Sequence, residues 1–329
     1  MVRIASFNVR NLSESGLDES SPKRRDLKEI AKWVSDCDIV VLQEVLDREI
    51  VDSLSKVFNS APLIRQLGQH WQGVWVKTQV NSIYFPYSED NRHEGYAFLW
   101  NTRKVELAKD DQGNAILPKT YSHYTAGSPT NKMLRYPGYG KFILKNRIRP
   151  VEIRVITTHI AFSKPKTKED VDIPDVKEIQ NRKREFDILS GWIYKNINEY
   201  CKETTKNAVY TIIVGDYNLS LKQIGIDTKM GQTITCYDRF GNRTYAVYDY
   251  DNTIGVNVMK TVQSEPTTIN QDCTGYASNY DHCTYNYKID QTVRNCYRKS
   301  ILSDKTPEQI KEYRDTVSDH VPIVVELHC

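Results

Sequence analysis

Eight polar side chains stand at the ends of apolar segments of this sequence, where they could take part in chemistry. Five of them follow an apolar segment: Asn8, Glu44, His159, Asp216 and Asn218. Three stand just before one: Glu94, Asp281 and His320. Histidine titrates near neutral pH and can serve as an acid or a base. Glu44 lies close behind the apolar residues "IVVL", and burying a carboxylate there is costly unless a cation or a cationic partner accompanies it.

Strands of a mixed sheet would bring these side chains together. The predicted strands cover residues 2–7, 38–42, 95–100, 141–144, 151–158, 210–214, 282–287 and 321–327. In such a sheet the end of one strand lies at the same edge as the start of an antiparallel neighbour. We therefore expect the eight side chains to converge on one rim.

Helical patterns alternate with these strands. Ser21 followed by Pro22 predicts the start of a first helix, and apolar spacing predicts further helices over 47–58 and 175–203. The last helix carries a basic run that the pattern assigns to its solvated face: Lys177, Arg182, Lys183 and Arg184. Residues 231 to 290 have the turn-rich pattern of hairpins, so a core of two sheets with helices outside is favoured over a parallel doubly wound sheet. The Gly-rich loops that cradle phosphates, GxGxxG and GxxxxGK[ST], are absent from the sequence.

Each polar residue also has a plain structural explanation. Asn8 and Asn218 could shape turns after their strands, which is a common use of asparagine. Asp319 could cap a backbone amide, and His159 could be a structural histidine. The recurrence of polar groups at so many strand ends nevertheless favours one shared site over separate structural roles.

Composition sets few limits on function. The 329 residues carry a net charge of +3 and have a pI near 8.3, which is compatible with a polyanionic partner without indicating one. No apolar run approaches the roughly 20 residues of a membrane span, so we expect no integral membrane contact. Met1 leads directly into the strand-like "VRIASF" rather than a signal peptide. This predicts a cytoplasmic protein, with secretion after removal of a signal as the alternative.

The cysteines do not form a recognisable framework. The seven are an odd number, scattered along the chain, and contain no CxxC pair, which argues against a disulfide scaffold and a zinc site. Cys273 and Cys283, ten positions apart around a predicted loop, are candidates for one disulfide in an oxidising compartment.

Eight short motifs together resemble a known family. They are "ASFNVRNL", "VVLQEV", "HEGYAFLW", "RYPGYGKF", "VITTHIAF", "IIVGDYNLS", "YDH" and "SDHVPIVV". In this order, between residues 4 and 327, they resemble the successive motifs of the endonuclease/exonuclease/phosphatase superfamily. Glu94 and the pair Arg135 and Pro137 resemble its deoxyribonuclease I branch most. The resemblance implies an α/β fold, a four-layer α/β/β/α sandwich of two mixed β-sheets, formed by residues 1–329 as a single domain with an enlarged insertion at about 219–280.

The resemblance also implies roles for individual residues. It assigns catalysis to His159, His320, Glu94, Asp281, Asp216 and Asn218, with Glu94 orienting His159 and Asp281 orienting His320. It assigns a bound Mg²⁺, with Mn²⁺ or Ca²⁺ as alternatives, to Glu44, Asn8 and Asp319. It assigns substrate contacts to Arg135, Arg10 and Arg92, although Arg10 and Arg92 could equally be ordinary exposed arginines. Which histidine takes a proton and which gives one stays open.

Two departures from the pattern leave questions. Asn218 and Asp281 are separated by 62 residues, a longer stretch than the pattern requires, which could be a substrate-facing lobe or a hairpin at the side. Asp281 is followed by His282 rather than by arginine, so the sequence departs from the pattern directly beside the residue that it pairs with His320.

A DNA endonuclease is the leading functional hypothesis, with the DNA backbone phosphates as its partner. The alternative is a phosphatase or phospholipid phosphodiesterase acting on inositol phosphates or sphingomyelin, although the "WxGDxN" pattern of phosphoinositide phosphatases is absent from the sequence. A catalytically silent binding module is the third hypothesis. It is disfavoured because the residues that a silent copy would lose are all present.

Overall fold

The computed structural model describes most of the chain. The described residues are 1–18, 21, 24–60, 70–78, 94–121, 133, 135–145, 147–160, 175–202, 208–224, 233–237, 243–247 and 259–329. Side chains are not described at 175–178, 180–181, 199–202, 233–237 and 243–247.

The described residues form fifteen strands and several helices. In chain order the strands are β1 (Val2–Leu12), β2 (Ile39–Val45), β3 (Trp71–Lys77), β4 (Gly95–Asn101), β5 (Val105–Leu107), β6 (Lys119–Thr120), β7 (Gly138–Leu144), β8 (Val151–His159), β9 (Ala208–Asp216), β10 (Thr233–Tyr237), β11 (Arg243–Val247), β12 (Met259–Val262), β13 (Asp281–Asn286), β14 (Val293–Arg298) and β15 (Ile323–Leu327). The α-helices are α1 (Leu27–Val34), α2 (Glu49–Ser60), α3 (Asp175–Asp187), α4 (Tyr194–Lys202), α5 (Leu221–Ile224) and α6 (Pro307–Thr316). A π-helical turn, Ile188–Ile193, joins α3 to α4.

The strands form two mixed sheets. The first has the order β14-β15-β1-β2-β4-β3, and the second β10-β11-β12-β13-β9-β8-β7-β5, with β6 also paired to β7. Two pairs are parallel, β1 with β2 and β8 with β9, and the other pairs between these strands are antiparallel. Parallel pairing places the carboxyl ends of both members at one edge, and the antiparallel neighbours begin at that same edge.

Three apolar clusters separate four layers. The two sheets pack face to face through side chains such as Ile4, Phe98 and Val155. The outer face of the first sheet packs against α1, α2 and α6, and the outer face of the second packs against α3 to α5. Alternation along β1, where Ile4 points to the inner layer and Phe7 to the outer one, follows from the two-residue period of a strand. The predicted α/β/β/α sandwich is confirmed.

All eight predicted strands are present, with ends shifted by a few residues, and the predicted helices over 47–58 and 175–203 match α2 and the α3–α4 segment. The predicted start of the first helix is wrong. Asp26, rather than Ser21, caps α1, because its carboxylate accepts the backbone amides of Lys28 and Glu29. Cys273 and Cys283, the candidate disulfide pair, are both free thiols.

The basic run on α3 does not face solvent as a whole. Arg182 and Lys183 are buried, while Arg184 is exposed. Lys183 forms an ion pair with Asp187, and Arg182 donates to the backbone carbonyl of Asn218 at 2.6 Å. Arg182 and Lys183, which were predicted to be solvated, are therefore paired with groups of the protein instead of with water. The side chain of Lys177 lies outside the described residues.

The stretch between Asn218 and Asp281, which the sequence predicts to be an insertion, extends the second sheet. Its described strands β10, β11 and β12 pair antiparallel in succession, and β12 continues the ladder to β13. This part of the insertion is a set of hairpins at the sheet edge, as the turn-rich pattern predicts.

Candidate active site

The polar residues predicted at the strand ends meet at one rim of the sandwich. Asn8 and Glu44 come from the first sheet, at the carboxyl ends of β1 and β2. Asp216 lies at the end of β9, where its backbone pairs with His159 on one side and Asp281 on the other. The rim therefore combines residues far apart in sequence because the parallel pairs β1–β2 and β8–β9 end together.

Asn8 links the two sheets at the centre of the rim. Its side-chain amide Nδ2 donates to Glu44 Oε1 at 2.9 Å and to Asp216 Oδ2 at 3.0 Å. Asn8 is fully buried. One neutral amide thus holds two carboxylates close together, and like charges this close are unfavourable unless positive charge is nearby.

Left-handed backbone shapes the rim. Arg10, Asn11, Glu44 and Asn218 all have positive φ values, of 48°, 56°, 59° and 48°. Register shifts interrupt β1 between Asn8 and Leu12, so the ladder bulges there. The bulge points the amide of Asn11 at Glu44 Oε2, 3.0 Å away. Non-glycine residues in this conformation are strained and concentrate at functional sites.

One histidine of the rim is held by Glu94 and Arg135. His159 Nδ1 forms a short hydrogen bond with Glu94 Oε1, and Arg135 Nη2 pairs with Glu94 Oε2 at 2.8 Å. Burial lowers the pKa of His159, but the Glu94 carboxylate outweighs it and raises this pKa above its ordinary value. Burial raises the pKa of Glu94, but His159 and Arg135 together bring it below its ordinary range. His159 Nε2 is left facing Glu44 Oε1 at 3.8 Å and Asp216 Oδ2 at 3.7 Å.

The second histidine is held by Asp281. His320 Nδ1 lies 2.8 Å from Asp281 Oδ2, and its Nε2 lies 3.6 Å from Asp216 Oδ2. Burial lowers the pKa of His320, but the carboxylates of Asp281 and Asp216 overcome this and raise it to about 10. Ser318 fixes the loop, since its hydroxyl donates to the Asn8 carbonyl at 2.7 Å and accepts the His320 amide at 3.1 Å.

Both imidazoles therefore face one small volume. The Nε2 atoms of His159 and His320 lie 3.7 Å and 3.6 Å from the same oxygen, Asp216 Oδ2. Each ring is oriented from its far nitrogen by a different carboxylate, which is the usual arrangement of a histidine that moves protons. The geometry can supply one proton acceptor and one proton donor to a single bound group.

The loop after β9 is held by backbone contacts. Asp216 Oδ1 accepts the amide of Asn218 at 2.8 Å, and Asn218 Nδ2 donates to the carbonyl of Ile160 at 2.7 Å. Arg182 holds the carbonyl of Asn218 from the helix side. The Asn218 side chain is thus directed at the residue after His159 and ties the two strand ends together.

The acidic residues of the rim fit a divalent cation. Mg²⁺ prefers oxygen ligands, and Glu44 and Asp216 present carboxylates that share one amide donor. Burial raises the pKa of Asp216, His320 opposes this shift, and Asp281 reinforces it. Asp281 Oδ1 is buried, and none of the residues that the structure describes donates a hydrogen bond to it. Ligand atoms of Asp216, Asp281 and His320 lie within 4.8 Å of one another, a grouping that differs from the predicted set of Glu44, Asn8 and Asp319.

The predicted substrate-binding arginines have different surroundings. Arg135 lies against Glu94 and His159. Arg10 is partly exposed, with Nε 3.7 Å from Asp319 Oδ2 and Nη1 donating to the carbonyl of Arg314 at 3.3 Å. The Asp319 carboxylate, predicted as a metal ligand, thus forms an ion pair with Arg10. Arg92 lies outside the described residues.

Arg25 is a buried residue of this region that the sequence did not indicate. Its guanidinium donates to the carbonyl of Arg10 from both Nε and Nη2, at 3.0 and 2.8 Å, and to the carbonyls of Arg24 and Asp315. Burial lowers the pKa of this group, and the neighbouring charge of Arg10 adds to that effect. The segment "PKRRD" gives no sign that one of its basic residues is buried, because the acceptors are main-chain carbonyls.

Comparisons with known proteins extend these observations. Residues 5–320 match a family model described as the Endonuclease/Exonuclease/phosphatase family. A mannosyl-6-phosphatase from Bacteroides thetaiotaomicron is 16% identical and aligns over 100% of both chains, with a TM-score of 0.51. The catalytic domain of human nocturnin is also 16% identical, with 99% of this chain and 93% of that chain covered and a TM-score of 0.48. No curated protein matches the sequence significantly. Among the described residues, no helix is long and apolar enough to cross a membrane.

Proposed function

The chain belongs to the endonuclease/exonuclease/phosphatase family, whose members hydrolyse phosphoric esters, and we propose that it is a divalent-metal-dependent phosphodiesterase acting on DNA. One observation carries the proposal. The Nε2 atoms of His159 and His320 face the same Asp216 oxygen, each from a ring oriented by its own carboxylate.

Cleavage of a phosphodiester needs two proton transfers. Water loses a proton as its oxygen bonds to phosphorus, and the leaving oxygen gains one as its bond to phosphorus breaks. Two imidazoles whose Nε2 atoms lie 3.7 Å and 3.6 Å from the same oxygen are close enough to serve both steps on one bound phosphate. Glu94 and Asp281 each hold one ring by its Nδ1, which leaves Nε2 available to the substrate.

The carboxylates have a separate role. Glu44 and Asp216 would hold the cation, with Asn8 fixing the distance between them. A divalent cation at that place stabilises the negative charge that builds on the phosphoryl oxygens. Asn11 supports Glu44 through its backbone amide, so the strained bulge of β1 contributes to the placement of this carboxylate.

A phosphomonoesterase is the second candidate. It is supported by the end-to-end alignment with the mannosyl-6-phosphatase, which has the same fold. A fold by itself does not determine the substrate, so the substrate assay must distinguish a phosphomonoesterase from a phosphodiesterase.

The test compares three substrates under matched conditions. Purified protein is incubated with supercoiled plasmid, mannose 6-phosphate or sphingomyelin vesicles, with Mg²⁺ and with excess chelator. We expect plasmid nicking that chelator and His159→Ala abolish, whereas His70→Ala, which changes an exposed histidine, has no effect. Turnover of the monoester or the lipid with intact plasmid would replace the nuclease proposal. Nicking that persists in excess chelator would show that the reaction does not depend on a divalent metal.

A further inference from the structure

One short segment contacts the backbone of both members of the Asp281–His320 pair. The segment Thr267–Ile269, which we call the strap, runs antiparallel to the loop that carries His320. Its backbone contacts are specific: the Val321 amide donates to the Thr267 carbonyl and the Ile269 amide donates to the Asp319 carbonyl, both at 2.8 Å. Thr268 and His320 form an isolated bridge between these contacts. The strap therefore fixes the backbone on both sides of His320.

The side chain of Thr267 reaches the other member of the pair. Its hydroxyl Oγ1 accepts the backbone amides of Tyr280 and Asp281, each at 3.2 Å. It also donates to the carbonyl of Ser278 at 3.5 Å, and the residue is fully buried. Thr267 thus contacts the Asp281 backbone through its hydroxyl and the chain beyond His320 through its carbonyl.

We propose that Thr267 is a positioning residue that sets the alignment of Asp281 with His320. The proposal rests on the proposed function, because alignment of this pair matters for rate only if His320 moves a proton. Without the hydroxyl, the buried amide of Asp281 and the partly buried amide of Tyr280 lose this acceptor, and the buried Asp281 amide can find another only if the chain moves. Such movement shifts Asp281 relative to the imidazole, and rate is sensitive to displacements well below one ångström.

Thr268 provides a matched control on the adjacent residue. Its hydroxyl also makes two hydrogen bonds, accepting the Ser278 amide at 2.8 Å and donating to the Ser278 carbonyl at 3.3 Å. Neither contact involves Asp281 or His320. Replacing either threonine by valine keeps the branched shape and removes the hydroxyl. The two variants therefore differ in which backbone groups lose a hydrogen-bond partner, and only Thr267→Val affects the amide of Asp281.

The experiment compares Thr267→Val, Thr267→Ser and Thr268→Val with the unchanged protein. The first readout is kcat and KM for the phosphoester that the substrate assay identifies. We expect Thr267→Val to lower kcat about 10- to 100-fold at nearly unchanged KM. Thr267→Ser, which restores the hydroxyl, and Thr268→Val should stay within about three-fold of the unchanged protein.

The second readout needs no catalysis. The Nδ1 proton of His320, hydrogen-bonded to Asp281, gives a downfield proton resonance that is assigned by its absence in His320→Gln. We expect this resonance to broaden or shift in Thr267→Val and to persist in Thr268→Val. If Thr267→Val does not fold, Thr267→Ala, which cannot clash, takes its place against Thr267→Ser.

Two results would overturn the inference. Equal kcat and an unchanged His320 resonance in Thr267→Val would show that the hydroxyl does not align the pair. Equal losses in Thr267→Val and Thr268→Val would show that both only stabilise the strap. If the unchanged protein hydrolyses none of the substrates, the proposed function fails, while the resonance still decides whether Thr267 orients Asp281.

Discussion

The charge on His320 depends on Asp281, and Asp281→Asn tests that dependence directly. The two groups form a buried pair with 2.8 Å between Nδ1 and Oδ2. Asparagine keeps the shape and the carbonyl acceptor and removes the negative charge. We expect the pKa of His320 to fall steeply in this variant, because burial, which lowers the pKa, is then opposed only by more distant carboxylates.

The size of the fall follows from the geometry. Charges centred about 4 Å apart interact by about 4 kcal/mol at an effective dielectric constant near 20. That energy corresponds to about 3 pKa units. It accounts for most of the difference between an ordinary histidine near 6.5 and the value of about 10 for His320. The Asp281→Asn variant should therefore lower the pKa of His320 from about 10 to about 7.

The same shift has a consequence for stability, and its sign is fixed. Between pH 6.5 and about 10 the folded protein keeps a proton on His320 that the unfolded chain has released. This contribution to the free energy of unfolding is therefore fully present below pH 6.5 and is lost as the pH rises toward 10. Asp281→Asn should flatten this part of the pH–stability curve.

Proton NMR of the imidazole Cε1–H signals measures the pKa without metal, in the presence of a chelator. The sequence has seven histidines, and His320→Gln assigns the relevant signal. Glu94→Gln is the control, because Glu94 contacts His159 and should leave His320 unchanged. If the pKa of His320 in Asp281→Asn moves by less than about one unit, the pair does not hold the charge and the electrostatic reasoning is wrong.

Three further variants test other parts of the rim. Glu44→Gln should reduce the metal-dependent rate about 100-fold or more while the unfolding midpoint in urea changes little; an unfolded variant would make Glu44 structural. Gly215→Ala should lower the free energy of unfolding in urea by more than about 3 kcal/mol, because its Cβ would lie 2.0 Å from the Thr158 carbonyl oxygen and the residue has a φ of +150°. Gly113→Ala, whose Cβ would meet open space, should lower it by about 1 kcal/mol. Similar losses in the two variants would refute this prediction. Arg25→Met should lower the free energy of unfolding by about 3 kcal/mol and speed hydrogen exchange of the Asn11 amide. Unchanged exchange would contradict a role of Arg25 in holding the bulge of β1.

The two sheets were predictable because their strands are strongly apolar. β8 and β9 are buried along most of their length, and their runs of Val, Ile and Thr are typical of central strands. β3, by contrast, reads "WQGVWVK", is only partly buried and contains a glycine, so its pattern resembles no clear strand. The start of α1 was misplaced because several residues before it could serve as a cap, and only tertiary contacts select Asp26.

The site was predictable as a set of residues but not as a set of contacts. Polar types at strand ends indicated the rim, and the resemblance supplied the pairing of each histidine with its carboxylate. The sequence did not predict the contacts of three buried residues, because each binds main-chain groups of distant segments; they are Arg182, Arg25 and Thr267. Such contacts depend on the folded path of the backbone, which side-chain periodicity does not report.

The pairing of β1 with β15 sets a condition on the order in which the protein can become active. Val2 pairs with Leu327, so β1 cannot form this pairing until a strand more than 300 residues later in the sequence has been made. At about 5–20 residues per second this delay lasts roughly 15 to 65 seconds on the ribosome. His320 lies just before β15, so a nascent chain that has not reached this strand lacks one of the two imidazoles. The rim is therefore incomplete until β15 has been synthesised and has paired with β1.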